Sequence, residues 1–182
     1  MYRVAQLYIC LLVVGWACGT SNPVTKLYTN EDKTVFELIE KLRKDPKDKN
    51  AQDELSEAYQ AARNKRQEAI DELKQSNAPG DKYIYIANEL TVLQQMYVAI
   101  TGLPVAKAAV PEVWDPSSSI QRARTLAAAD YYEAGMVFLG YNTREYAQMA
   151  FDNFEKASKA SPGFRDVDQM LRITKKKATV RV

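Results

Sequence analysis

The sequence predicts an all-α protein of antiparallel helical hairpins, about seven helices in all. Three observations carry this. Apolar residues recur at spacings of three and four through most of the chain, the period of a helix with one buried face. Breakers such as Asp45-Pro46, Asn77-Ala-Pro-Gly, Gly102-Leu-Pro104 and Ser161-Pro-Gly163 stand between these stretches. The one run with strand-like alternation, residues 178–182, has no partner run elsewhere in the 182 residues.

A first helix is expected from Glu31 to Lys44 on the stripe Val35, Phe36, Ile39 and Leu42. It stops at Asp45-Pro46, because the residue before a proline is pushed out of the helical region. A second starts near Asn50, a residue that can cap, with Asp53 and Glu54 in the first turn. Its face is Ala51, Leu55, Ala58, Tyr59 and Ala62. A separate third helix follows within a few residues and carries Ala69, Ile70 and Leu73. The fourth has the clearest signature. Tyr83, Ile86, Leu90, Leu93, Tyr97 and Ile100 form one stripe, and Tyr85, Val92 and Met96 add a second, so this helix should be central and covered on more than one side. Residues 103–119, with three prolines and three serines, read as a long connection of the kind that often carries function. It holds Trp114, which serves either as a partner anchor or, with Val113, as a plug onto the helices. A fifth helix runs from Ser118 or Ser119 to Tyr141, a sixth from its cap at Thr143 to Ala160, and a seventh from Arg165 to Lys176. The helical domain thus spans 31–177, with a short tail at 178–182.

Ahead of it, Arg3 precedes an apolar run from Leu7 to Val14, and small Ala17 stands directly before Cys18. This is a secretory signal pattern over 1–17, and the run is too short for a membrane-spanning helix, which needs about 20 apolar residues. Residues 18–30 read as a flexible tether of roughly 40 Å reach. Cys10 would be lost with the signal, leaving Cys18 as the only thiol of the mature chain. No internal disulfide or thiolate cluster is then possible. A cysteine just after the small residue resembles the lipobox of bacterial lipoproteins, although Gly15 stands where that family usually has leucine. The resemblance implies acylation at Cys18 and a membrane held through that lipid. Gly19 is not the aspartate that retains such products at the inner membrane, so the resemblance points to the outer membrane of a bacterial envelope.

Charge narrows the partners. Basic and acidic residues nearly balance, 25 against 23, and alternate along the chain, which does not favour nucleic acid. Lys175-Lys176-Lys177 is the one like-charge cluster; it suits a helix C-terminus, with contact to anionic lipid as the second reading. Histidine is absent, which removes the commonest general base and the commonest transition-metal ligand. No metal and no cofactor are expected.

Tyr141, Ala150, Phe154, Ala157 and Pro162 stand at spacings of nine, four, three and five. This resembles the tetratricopeptide repeat, a helical hairpin of about 34 residues. Ala134 and Phe138 depart from its usual tryptophan and small residue. A weaker second window covers Ala51 to Leu73. The resemblance implies hairpins in a right-handed stack with a groove that takes peptides or proteins, hence a non-enzymatic adaptor or assembly factor with an envelope protein as partner. Tyr132 and Arg144 are the candidate groove residues beside Trp114. Tyr85, Tyr131 and Tyr146 are further surface candidates, while Tyr83, Tyr97 and Tyr141 fall on expected core stripes. Two other classes compete. One is a small-ligand binder with the proline-rich loop as lid. The other is a cell-wall lytic enzyme using one glutamate, for which Glu89 and Glu133 are the only glutamates embedded among apolar neighbours.

Overall fold

In the computed structural model the described residues, 28–179, form seven helices and no strand. They are α1 (Asn30–Lys44), α2 (Lys49–Lys74), α3 (Asp81–Thr101), α4 (Pro104–Ala109), α5 (Ser117–Gly140), α6 (Arg144–Ala160) and α7 (Val167–Thr179). The protein is all-α, as expected. The signal segment, Cys18 and the tether up to residue 27 lie outside the described residues, as do 180–182.

Local chemistry sets most of the boundaries. Thr29 and Asp32 form a reciprocal capping box that starts α1. Asp48, not Asn50, caps α2: its carboxylate accepts from the Ala51 N–H at 3.1 Å, and Asn50 lies inside the helix. Thr143 caps α6 as expected, accepting from the Tyr146 N–H. Asn142, at φ 53°, turns the chain between α5 and α6 in the left-handed region that asparagine tolerates. Gly80, at φ 72°, does the same before α3, where any Cβ would sit 2.4 Å from the Tyr131 ring.

Three expectations are corrected. The second and third helices are one 26-residue helix, α2. Residues 63–66 are all polar, yet Arg66 is 4% exposed and continues the buried stripe between Ala62 and Ile70, so the helix runs through them. The 103–119 connection is not structureless, because Pro104 opens α4 from its first turn, where its missing N–H costs nothing. Ala178 and Thr179 are the last residues of α7 rather than the start of a strand-like tail.

α3 occupies the centre. It packs on α2 along one side and on α5 along the other, with lighter contacts to α1 and α4. One hydrophobic cluster joins α1, α2, α3 and α4 with Val113 and Ala123. A second joins α5, α6 and α7 around Phe154. Tyr83 packs against both. The α5–α6 hairpin is the most intimate pair: Gly135 lies against the Phe154 ring so closely that a Cβ there would be 2.8 Å from Cε1.

Candidate functional site

Helical periodicity places three short ridges around one groove. α2 presents Gln67, Ile70 and Lys74, and α3 presents Tyr83, Ile86 and Leu90. Ser119, Arg122, Ala123 and Leu126 come from α5. The α2 and α3 residues are three or four apart, and on α5 both Arg122 and Ala123 stand three or four from Ser119 and Leu126, so each ridge lies on one helix face. The groove holds about 460 Å³, within the range of ligand clefts. Its walls are mostly apolar, and Lys74 and Arg122 stand in the lining as cations. Lys74 is paired with Asp71 at 2.7 Å.

Trp114 enters the same groove from the connection between α4 and α5. Its backbone N–H donates to the Tyr59 hydroxyl at 3.1 Å, which fixes the loop to α2. The Arg63 guanidinium lies 5.5 Å from the indole centroid, within cation–π range. Val113 beside it is buried in the first cluster. The residue therefore serves both readings: its neighbour plugs the loop, and its half-buried ring lines the groove.

Outside the groove lining, α1, α2 and α3 are tied by a buried charge network. Arg66 grips Asp32 through Nε and NH2 and reaches Glu89 Oε2 through NH1 at 2.5 Å. Asp32 is fully buried, and the Glu89 side chain is 22% exposed. Burial pulls the guanidinium pKa down, but the hydrogen bonds and charges of Asp32 and Glu89 outweigh it, so the net shift is upward. Glu89, offered above as a lone acid for glycoside chemistry, is thus an ion-pair partner. Glu133 is not embedded among apolar groups: it is exposed and paired with Arg165 at 2.6 Å.

The other two candidate partner residues sit elsewhere, at the α5–α7 end, and both are engaged. Tyr132 is 7% exposed, not on the surface. Its hydroxyl donates to Asp166 at 2.5 Å, and its ring packs edge-on against Phe154 and Phe164. The Asp166 bond, with burial, raises its pKa. Tyr131 is likewise buried, its hydroxyl donating to Asp81, and burial followed by that bond pushes its pKa up. Arg144 donates from Nε to the Ala178 carbonyl at 2.9 Å, tying the end of α7 to the start of α6. Tyr85 is exposed as expected and Tyr146 is half-buried. Tyr141, placed above on a core stripe, is 58% exposed.

Sequence reasoning missed Arg122 and Leu126. Leu126 lies three residues after buried Ala123 on a helix covered on two sides, so no single stripe marks it. Comparison of the chain with known protein families, with curated proteins and with solved structures yields no match.

Proposed function

We propose that the protein is a lipid-anchored envelope protein acting as a non-enzymatic adaptor, and that its partner docks in the groove between α2, α3 and α5. The observation that carries this reading is the groove itself. A three-helix cleft presents Tyr83, Ile86, Leu90, Trp114 and Leu126 together, an apolar and aromatic lining with a cation at Arg122. Such clusters are the usual anchors of protein recognition, since large rings bury much area at little conformational cost. The tetratricopeptide-like reading of the α5–α6 hairpin belongs to this proposal. It is supported by Phe154 packing on a small residue of the preceding helix, with Gly135 in that role rather than Phe138. The anchor rests on the Cys18 pattern alone.

Two experiments test the two parts. Radiolabelled palmitate should enter the chain and be lost in Cys18→Ala; label that persists in the variant removes the anchor. For the groove, a partner captured from envelope extracts by the full chain should be lost with Leu126→Asp and weakened with Trp114→Ala. Leu126 is 39% exposed, so its change leaves the core intact. Equal capture by both variants places the docking surface elsewhere. Hydrolysis of purified cell wall, abolished by Glu89→Gln or Glu133→Gln, would replace the adaptor with the enzyme reading.

A further inference from the structure

Past the start of α3, the α5–α6 hairpin runs on without α3 beside it, and α7 packs against α6. α3 and α5 are antiparallel, with Ser117 beside Gln94, and Asp130 and Tyr131 beside Gly80 and Asp81. Residues 132–140 therefore extend beyond the first residue of α3. On this overhang Val137 and Tyr141 are 62% and 58% exposed. Tyr141 stacks on Tyr146 at 4.5 Å between centroids, so the rings are held in place while open to solvent. An apolar surface of this kind, fixed rather than collapsed, needs an explanation.

The end of α7 supplies one. The Lys177 ammonium donates to the Asn142 side chain at 2.9 Å, and Arg144 holds the Ala178 carbonyl. These bonds bring the C-terminal turns of α7, with Lys175, Lys176 and Lys177, to the same end of the bundle as Tyr141. None of the three lysines has an ion-pair partner among the described residues. The helix dipole favours cations here. What sets these lysines apart is that they are three consecutive exposed cations, whereas Lys74 and Lys159 are each balanced by an acid one turn away, Asp71 and Glu155. Glu145 stands at the start of α6, and Asp168 lies about 10 Å before Lys175 along α7; neither forms an ion pair with the three lysines.

We infer that this end of the molecule, Val137, Tyr141 and Tyr146 with Lys175, Lys176 and Lys177, is a surface that seats on an anionic lipid bilayer. Tyrosine rings settle at the headgroup level, and lysines beside them attract the negative surface potential. The pairing of the two features is what selects lipid: aromatic groups alone fit a protein partner, and lysines alone fit any polyanion. The surface is separate from the α2–α3–α5 groove and does not depend on acylation of Cys18.

Amine-reactive footprinting of the full chain reads it directly. The chain is mixed with phosphatidylcholine vesicles, with or without phosphatidylglycerol, and lysine labelling is measured by mass spectrometry. Lys175 and Lys176 should become protected on the anionic vesicles only, while Lys44 and Lys74 label equally on both. Equal labelling of Lys175 and Lys176 on the two vesicle types overturns the inference. Replacing Lys175, Lys176 and Lys177 by Gln should weaken anionic relative to neutral binding by about fivefold per lysine at low salt. Arg3 and Lys26 are the same in wild type and variant, so the change of this ratio on substitution isolates the three lysines, and loss of neutral binding bears on the anchor and not on this surface. Val137→Ser with Tyr141→Ser, both exposed and free of core contacts to disrupt, should also abolish the protection; full protection in that variant overturns the aromatic seat.

Discussion

At the scale of single residues, the side chain that decides most is Arg66. From α2 its guanidinium meets Asp32 on α1 and Glu89 on α3, so one side chain ties three helices by charge. Removing one member of a buried ion network leaves the others desolvated and uncompensated, which costs more than the network contributes as a whole. Arg66→Met should therefore lower the unfolding free energy by about 3–5 kcal/mol, measured by urea denaturation. Glu89→Gln should cost about 1 kcal/mol, because its 22% exposure lets water replace the lost partner. Arg66→Lys should fall between the two, since one ammonium cannot repeat the two-sided grip of a guanidinium. Equal losses for Arg66→Met and Glu89→Gln would mean that the fully buried Asp32 is not the group at risk. Tyr131 gives a pH prediction. Its folded pKa is raised above the unfolded value of about 10, first by burial and then by the Asp81 bond. The stability it adds is complete below about pH 10 and declines as pH rises beyond that, because the unfolded chain then releases its proton first. Between pH 9 and 11 the urea midpoint of the wild type should fall more steeply than that of Tyr131→Phe; parallel slopes would remove Tyr131 as the cause.

At the scale of elements, the α5–α6 hairpin shows how close packing overrides propensity. Gly135 in mid-helix is a poor helix former, and alanine there should gain up to about 1 kcal/mol of propensity. The new methyl, however, would sit 2.8 Å from a Phe154 ring that is fully buried and wedged against Tyr132 at 5.4 Å. Overpacking of this kind costs about 1–3 kcal/mol. Gly135→Ala should thus be net destabilising by thermal melting, and a raised melting temperature would show that the ring can yield. The same elements explain what the sequence made legible. α3 and α6 carry strong stripes and standard stops, so they read directly. α2 was split in two because its stripe passes through Arg66, and a charged residue looks like a core position only once Asp32 and Glu89, 34 and 23 residues away, are seen beside it. α4 was hidden because Pro104 ends one helix and opens another, and both roles have the same local signature. Tyr131 and Tyr132 were placed outside for a related reason. Their rings are core and only their hydroxyls are polar, and each finds a distant carboxylate, Asp81 or Asp166, that the sequence does not pair with it. Of the candidate site, Trp114 was found because it is a lone large ring in a proline-rich connection, whereas the groove around it is assembled from three helices no motif joins.

At the scale of the whole molecule, the two hydrophobic clusters differ in what they bury. The α1–α4 cluster contains Leu42, Leu55, Tyr59, Leu93, Met96 and Ile100, each fully or almost fully enclosed. Of the nine buried residues in the α5–α7 cluster, five are alanines, so each contributes less apolar area. The C-terminal cluster should therefore open first, with α3 and Tyr83 as the boundary. Native-state hydrogen exchange should place the slowest amides in α2 and α3, with those of α6 and α7 exchanging through a sub-global opening of lower free energy. Phe154 makes the assignment testable, because it is the largest fully buried side chain of the weaker cluster. Phe154→Ala should lower protection across α6 and α7 by about 3–5 kcal/mol. It should leave the amides of α1 and α2 near their wild-type rates, as far as these open independently of α6. A uniform drop through all seven helices would mean that α3 couples the clusters into one cooperative unit. In that case the groove between α2, α3 and α5 could not loosen without unfolding the molecule.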